Sequence, residues 1–453
     1  MTGKFFFRKI KETFLAWIRS GPAQSLFVQR FYGWLEFVLG RLALKRGRPF
    51  RAVDHFCKAS RRVKTDTLSR QRARAHLKAF FQQFSEPETS NEVLADYRRT
   101  RFARTLQSRF LRQPFPLNVT LRGTLLPLKA HDPQTGEKGV LILKYNYLFR
   151  AFHSIYQTEQ LRRYYWAVLE PSDPHIEDPG YALFGGWRVV LQAGNPVVRL
   201  GLHVLGDLFD SVPLSSSDWT DPDTFRPMPN TTKVYDLIMV ADWSRNKQHL
   251  WLFRTLAQIR RPLKVVLVGA PWQRRREAVV AEAKKCGVSD QIEIYERVRP
   301  EEVNRLLNLS RVNLLLSRRE GGNKALYEAM FADIPSIVYR HCQGLDHSCV
   351  NEQTGVLVND DELADAILAV LNTPRQFSPR AWALDNAGCT NSTRKLNDRL
   401  KELSLARGEP WTTGVAVKAN RPDLEYKSQQ DAERLGPVLH HLRRFLHDAA
   451  NSV

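Results

Sequence analysis

Between Tyr235 and Tyr339, five short apolar runs alternate with stretches of helical spacing, and this alternation limits the possible folds more than any other feature. The runs are YDLIMVA (Tyr235–Ala241), LKVVLV (Leu263–Val268), Ile292–Tyr295, VNLLLS (Val312–Ser317) and Ser336–Tyr339. Continuous hydrophobicity over four to seven residues suits strands covered on both faces. The segments between them, Gln248–Gln258, Arg274–Lys285, Pro300–Leu309 and Lys324–Ala332, carry the helical period. Parallel neighbours need crossovers of this kind, so the stretch predicts a doubly wound parallel sheet. In such sheets ligands bind beyond the carboxyl ends of the strands. Four loops therefore qualify: Asp242–Lys247, Gly269–Trp272, Arg297–Arg299 with Val298 at its centre, and Arg318–Asn323.

A fainter version of the pattern precedes it. GVLILKY (Gly139–Tyr145), a helical stretch from Asn146 to Gln160, YYWAVL (Tyr164–Leu169) and WRVVLQ (Trp187–Gln192) suggest a second open α/β sheet. Ser211–Pro229, rich in Ser, Asp and Pro, reads as a crossing between lobes. At 453 residues the chain exceeds what one core organises. The expectation is an α/β protein with two Rossmann-like lobes, at 131–230 and 231–405. A helical extension (1–130) precedes them, and a linker with a terminal amphipathic helix (406–453) follows. Residues 86–138, with prolines at 87, 114, 116, 127 and 133, read as a connector containing one short helix.

Charge is distributed unevenly. Residues 1–130 hold 27 of the 68 Lys and Arg but 8 of the 47 Asp and Glu, and so carry +19 of the net +21. An anionic partner meets this end first. On a helical wheel Phe7, Ile10, Phe14, Trp17 and Ile18 share one side, flanked by Lys4, Arg8, Lys11 and Arg19. That layout suits an interfacial helix on an acidic membrane surface. A second amphipathic segment (Phe27, Phe31, Trp34, Leu35, Val38, Leu42) and the basic stretch Arg46–Lys78 read equally as a helical subdomain whose apolar stripes are core. No nucleic acid is expected as partner, because no binding motif or spaced set of base-stacking aromatics accompanies the charge. Arg8, Lys9 and Lys11 break the apolar run a signal peptide needs, and Arg30, Glu36 and Arg41 interrupt the most apolar stretch of spanning length. Five scattered cysteines fit a reducing compartment. The expected location is the cytoplasm, peripheral on the inner face of the membrane.

Chemistry concentrates in SRREGGNKALYEAMFADIPSIVY, Ser317–Tyr339. Gly321 and Gly322 remove side chains ahead of Asn323 and Lys324, so N–H groups of the first helical turn can approach a phosphate favoured by the helix dipole. Glu328, two turns into the helix, can accept both ribose hydroxyls of a nucleotide resting there. Glu320, in the loop, can meet the hydroxyls of a sugar. Arg245 and Lys247 can flank the diphosphate and stabilise the negative charge that grows as the sugar departs. The set suits a nucleotide sugar. His341, Cys342, His347 and Cys349 lie within nine residues, but their spacing matches no common zinc module. No metal site and no cofactor are expected.

From about Val234 to Val370 the chain resembles the nucleotide-binding lobe of retaining glycosyltransferases of GT-B fold, in particular family 4. The resemblance is carried by Glu320 and Glu328 with seven residues between them, by the Lys247 loop, by the VLVGAP turn containing Gly269, and by GVLV at Gly355–Val358. It implies sugar transfer from a nucleoside diphosphate donor with retention, by front-side displacement, and without an obligatory metal. It places Glu328 on the ribose, Gly321, Gly322 and Asn323 near the sugar and phosphates, and Glu320 on the sugar ring. Such enzymes often add a histidine from the first lobe. His203 is chosen over His153 and His175 because it follows the strand-like VVRLGL and precedes Asp207 and Asp210. One departure is plain: the family's Gly-Arg pair ahead of the loop lysine is Ala241-Asp242 here. The expected acceptor is a glycan or lipid-linked precursor of a surface polysaccharide; the competing reading is a non-catalytic GT-B scaffold in polysaccharide assembly.

Overall fold

The computed structural model describes residues 26–62, 67–111, 124–172, 175–373, 376–421 and 423–447. The interfacial helix expected at residues 1–20 lies outside them. Five helices come first: α1 (Leu26–Lys45), α2 (Pro49–Arg62), α3 (Thr67–Gln83), α4 (Pro87–Arg98) and α5 (Arg101–Leu111). Among the described residues, the connector expected to hold one short helix thus holds two. Pro87 does not break α4 but opens it, at a position whose N–H would have no helical partner anyway.

The first sheet contains β1 (Leu125–Lys129), β2 (Gly139–Lys144), β3 (Tyr165–Glu170), β4 (Val189–Gln192) and β5 (Asp210–Val212), in that spatial order. Helices α6 (Asn146–Ile155) and α7 (Thr158–Leu161) link β2 to β3, and α8 (Pro196–Leu205) links β4 to β5. Only β1 runs antiparallel to its neighbour. The early helices are not a separate appendage. Phe56 of α2, Phe80 of α3 and Tyr97 of α4 are buried in one core with Leu141, Leu143 and Phe149. Burying a side chain of this size contributes roughly 1.5–3 kcal/mol, so α2–α4 and the sheet stabilise one another.

The second sheet is wholly parallel, with order β11-β10-β9-β6-β7-β8. Its elements are β6 (Tyr235–Val240), α9 (His249–Gln258), β7 (Val265–Gly269), α10 (Arg276–Lys285), β8 (Ile292–Glu296), α11 (Pro300–Asn308), β9 (Ser310–Leu315), α12 (Lys324–Phe331), β10 (Ser336–Tyr339), β11 (Gly355–Val358) and α13 (Leu363–Asn372). Its two faces are separate apolar cores, one around Ile238, Val266 and Met330, the other around Leu237, Leu267 and Phe253.

The chain then returns. After α14 (Pro379–Asn386), helix α15 (Cys389–Leu405) lays Leu396 and Leu400 against Ile142, Trp166 and Val190 on the far face of the first sheet. A hairpin, β12 (Lys418–Arg421) with β13 (Asp423–Tyr426), precedes α16 (Gln429–Leu442). Leu435, Val438 and Leu442 of α16 complete the first core. The first lobe is therefore α/β in three layers, closed by both ends of the described chain.

Candidate functional site

β6 and β9 are hydrogen-bonded neighbours, with Leu237 opposite Val312. From β6 the chain first builds β7 and β8 to one side; after β9 it builds β10 and β11 to the other. The loops leaving the carboxyl ends of β6 and β9 therefore turn apart and open a crevice. Asn246 Nδ2 donates to Arg319 O at 2.8 Å, and Arg318 N donates to Asn246 O at 3.0 Å. These bonds bind the two loops together and fix what they carry. Lys247 Nζ donates to Glu320 Oε1 at 2.7 Å. Their side chains keep 14% and 8% of their exposure, enough for a ligand to reach them.

Next to Glu320, the glycine loop meets the first lobe. Asn195, which caps α8 by accepting Val197 N at 2.8 Å, turns its amide to Gly321 O at 3.1 Å and Glu320 O at 3.3 Å. Gly322 lies so close to Ser216 that a Cβ there would strike its hydroxyl. A cavity of about 180 Å³ runs between the lobes here, lined by Asn195, Ser217, Gly322, Asn323, Tyr327 and Asp346. Asn323 caps α12, its Oδ1 accepting Leu326 N at 2.8 Å. The next residue, Lys324, brings its Nζ to 3.3 Å from Oε1 of Glu328, one turn further along the helix, and donates to Asn420 O of the hairpin at 2.7 Å. The crevice thus sets two carboxylates and two ammonium groups around a glycine-lined helix start.

The remaining expected residues are placed differently. Gly269 ends β7, its carbonyl accepting Arg297 N at 2.8 Å, and Arg297 takes a left-handed backbone with φ 55°. Val298 packs against the core around Ile238, where it supports the loop. Arg245, two residues before Lys247, is not brought to Glu320. It is exposed and lines a neighbouring open groove of about 750 Å³ with Arg274, Arg275 and Lys285. VVRLGL is not a strand but part of α8, and His203 sits two turns beyond Asn195, exposed, with Nδ1 2.8 Å from Leu200 O. His153 is buried with Nδ1 2.7 Å from Thr158 Oγ1, and His175 faces Glu177 at 3.7 Å. Cys342 and Cys349 are buried free thiols. Burial pushes both up to about 12, with the Glu320 carboxylate adding to the effect at Cys342. Among the described residues no three His, Cys, Asp or Glu side chains converge to hold a metal ion.

Two features escaped the sequence reading. Asn195 was one, although Asn195-Pro196 is a helix-start signature that could have revealed it. The other is a buried ion cluster at the carboxyl edge of the first sheet. Lys418 Nζ lies 2.7 Å from Glu170 Oε2, Lys144 Nζ 3.9 Å from Glu170 Oε1, and Asn420 Nδ2 donates to Glu170 Oε1 at 2.8 Å. Burial pulls the Lys418 ammonium down to about 7 against the pull of Glu170. Burial pushes Glu170 up, but Lys418 and Lys144 outweigh it and hold the carboxyl below its ordinary range. Asn420 also donates to Ser216 O at 3.0 Å, so the cluster buttresses the lobe contact beside Gly322. More than 200 residues separate Glu170 from Lys418, and no local signal joins them.

A family model matches the part of the chain that carries the β6–β9 crevice. Residues 235–373 fit the family model described as glycosyl transferases group 1. No curated protein matches the chain. Among solved structures, sucrose-phosphate synthase from Thermosynechococcus elongatus is 16% identical, with TM-score 0.48 over 59% of this chain and 74% of its own. Anabaena HepE, solved with UDP and glucose, is 13% identical, with TM-score 0.47 over 58% of this chain and 78% of its own. The lipopolysaccharide outer core galactosyltransferase WaaB is 14% identical, with TM-score 0.42 over 57% and 72%. The stretch that carries the crevice, from Lys247 through Glu320 to Glu328, is thus the stretch similar to group 1 glycosyl transferases.

Proposed function

We propose that the protein is a retaining glycosyltransferase that moves a sugar from a nucleoside diphosphate donor to a lipid-linked or surface-polysaccharide acceptor, working peripherally at the cytoplasmic face of a membrane. The observation that carries this reading is the β6–β9 crevice, where Lys247 and Glu320 meet beside a glycine-lined helix start with Glu328 on the same helix. The sugar's hydroxyls donate to Glu320, whose carboxylate Lys247 holds in place. The diphosphate rests against the backbone N–H groups around Gly322 and the amino end of α12. Lys324 leaves Glu328 for a phosphate oxygen, and Glu328 then accepts the ribose hydroxyls. As the bond to the anomeric carbon breaks, negative charge collects on the departing diphosphate. Lys247 and the helix dipole meet it. The same diphosphate takes the acceptor's proton, so the acceptor attacks from the face the leaving group vacates. No metal ion is required in this scheme, and activity is expected to survive EDTA.

The membrane part of the reading rests on the basic amino-terminal region. Among the described residues no helix is long and apolar enough to cross a bilayer. Glu328→Gln is expected to abolish transfer and donor hydrolysis while leaving the thermal unfolding profile in place. Near-normal turnover in that variant would defeat the proposal.

A further inference from the structure

α1 is built inside out. Its buried residues are Gly33 and Gly40, seven positions apart on one face, and a Cβ on Gly40 would strike the ring of Phe56. Three large side chains point away from the protein, Phe27 at 77% exposure, Phe31 at 49% and Trp34 at 59%, while Phe37 and Leu44 join the glycines in packing on the first core. Spaced by four and three residues, these three lie on one side of the helix, with the Phe31 and Trp34 rings 6.2 Å apart. Leu26, Leu42 and, at the start of α3, Leu68 are exposed as well. An ordinary surface helix does the reverse, covering its apolar stripe with the core. A helix that packs through Gly33, Gly40 and Phe37 and still turns Phe27, Phe31 and Trp34 outward leaves an apolar patch that needs a cover, and a patch of this kind marks a docking surface.

Charge says what the medium is. Arg30, Arg41 and Lys45 of α1 and Arg72 of α3 are exposed around the patch. Glu36, the one acidic residue of α1, is 2.7 Å from His55 Nδ1, and the α3 sequence contains no acidic residue. Between the two helices runs a groove of about 240 Å³ whose lining includes Trp34, Phe37 and Ala73, with Arg30 and Arg72 among its residues. Aromatic and aliphatic groups in the middle with guanidinium groups around them match the depth profile of an anionic bilayer, acyl chains beneath and phosphates above.

We infer that the α1–α3 face docks on an anionic phospholipid bilayer, Phe27, Phe31 and Trp34 entering the acyl boundary and Arg30 and Arg72 engaging lipid phosphates. This inference deepens the membrane part of the proposed function and rests on it; it does not depend on the donor crevice. The test is co-sedimentation of the full chain with phosphatidylcholine vesicles, with and without phosphatidylglycerol. A nucleoside diphosphate thermal shift on the same samples serves as the control. The chain is expected to bind the acidic vesicles, the Phe27→Ser/Phe31→Ser/Trp34→Ser variant to partition about tenfold less or weaker, and Arg30→Gln/Arg72→Gln to lose the preference for acidic lipid. Both variants should keep the nucleotide shift, since the substituted residues are exposed. Partitioning of the triple variant equal to that of the parent chain overturns the inference and passes the role to residues 1–25. Loss of self-association with vesicle binding intact also overturns it, in favour of a second copy as the cover. Vesicle binding without any nucleotide shift in the parent chain would leave this docking face standing and remove the transferase reading instead.

Discussion

The two lobes use the same materials, a parallel sheet between helical layers, yet treat the carboxyl ends of their strands in opposite ways. From β2 to β5 the first sheet grows in one direction, so successive loops leave on the same course and no crevice opens between them. The chain fills that edge with its own groups: Lys144 ends β2, Glu170 ends β3, and Lys418 with Asn420 comes back from the carboxyl-terminal hairpin to complete them. The second sheet reverses between β6 and β9, and its crevice keeps Lys247 and Glu320 within reach of solvent. Each lobe holds a Lys–Glu pair at 2.7 Å. The pair sealed from water is an architectural joint, and the pair at the reversal stays within reach of solvent, as the proposed donor site requires. Identical chemistry takes opposite roles because burial and topology differ.

The difference can be attacked from both sides. Glu170→Ala strands two buried ammonium groups, and stability should fall by about 3–5 kcal/mol in urea unfolding. A loss below about 1 kcal/mol would mean that the first pair is as dispensable as a surface bridge. Lys247→Ala should instead leave the unfolding midpoint nearly unchanged and lower kcat by roughly 10²–10³-fold in a donor-hydrolysis assay. A stability loss as large as that of Glu170→Ala, with kcat preserved, would erase the distinction. Asn195→Ala removes the amide that ties the first lobe to Gly321. One such bond contributes about 1 kcal/mol, so KM for the donor should rise roughly fivefold with the nucleotide-free fold intact.

The two lobes also differ in a pH signature that falls in separate windows. His249 of the second lobe is buried against Trp243, with both ring nitrogens lacking a hydrogen-bond partner, and burial pulls it down to about 4 from 6.5. Lys418 of the first lobe is held at about 7 against 10.5. In each case the unfolded chain binds the extra proton across the interval, so stability rises with pH from about 4 to 6.5 through His249 and from about 7 to 10.5 through Lys418. His249→Phe should flatten the acid limb of the urea midpoint and leave the alkaline limb alone. If it flattens both, the windows do not belong to separate lobes.

How far the sequence could be read follows the same division. All five strands expected between Tyr235 and Tyr339 are present, because a strand covered on both faces has to be apolar at every position and so announces itself. Lys247 and Glu320, 73 residues apart, are expected at one ligand from their places in neighbouring loops and from the family resemblance, and in the structure the two side chains are hydrogen-bonded. The first lobe was less legible. VVRLGL looked like a strand by its β-branched content, yet Asn195 and Pro196 start a helix there, and its Leu200 is exposed. Residues expected as an extension, a connector and a linker supply core and joint: α2–α4 lie under the first sheet and Lys418 reaches Glu170, while α15, expected with the second lobe, covers the first sheet's other face.

By itself the sequence determined the second sheet, its helices and the loops at its carboxyl edge, since each is encoded in the periodicity of a few neighbouring residues. Only the tertiary structure decided the rest: which charged groups are sealed and which remain reachable, which lobe carries the reversal that parts its loops, and which side of α1 faces outward. These are properties of contacts between segments far apart in the chain. A lysine at position 418 and one at position 247 look alike until folding removes water from the first and leaves some beside the second.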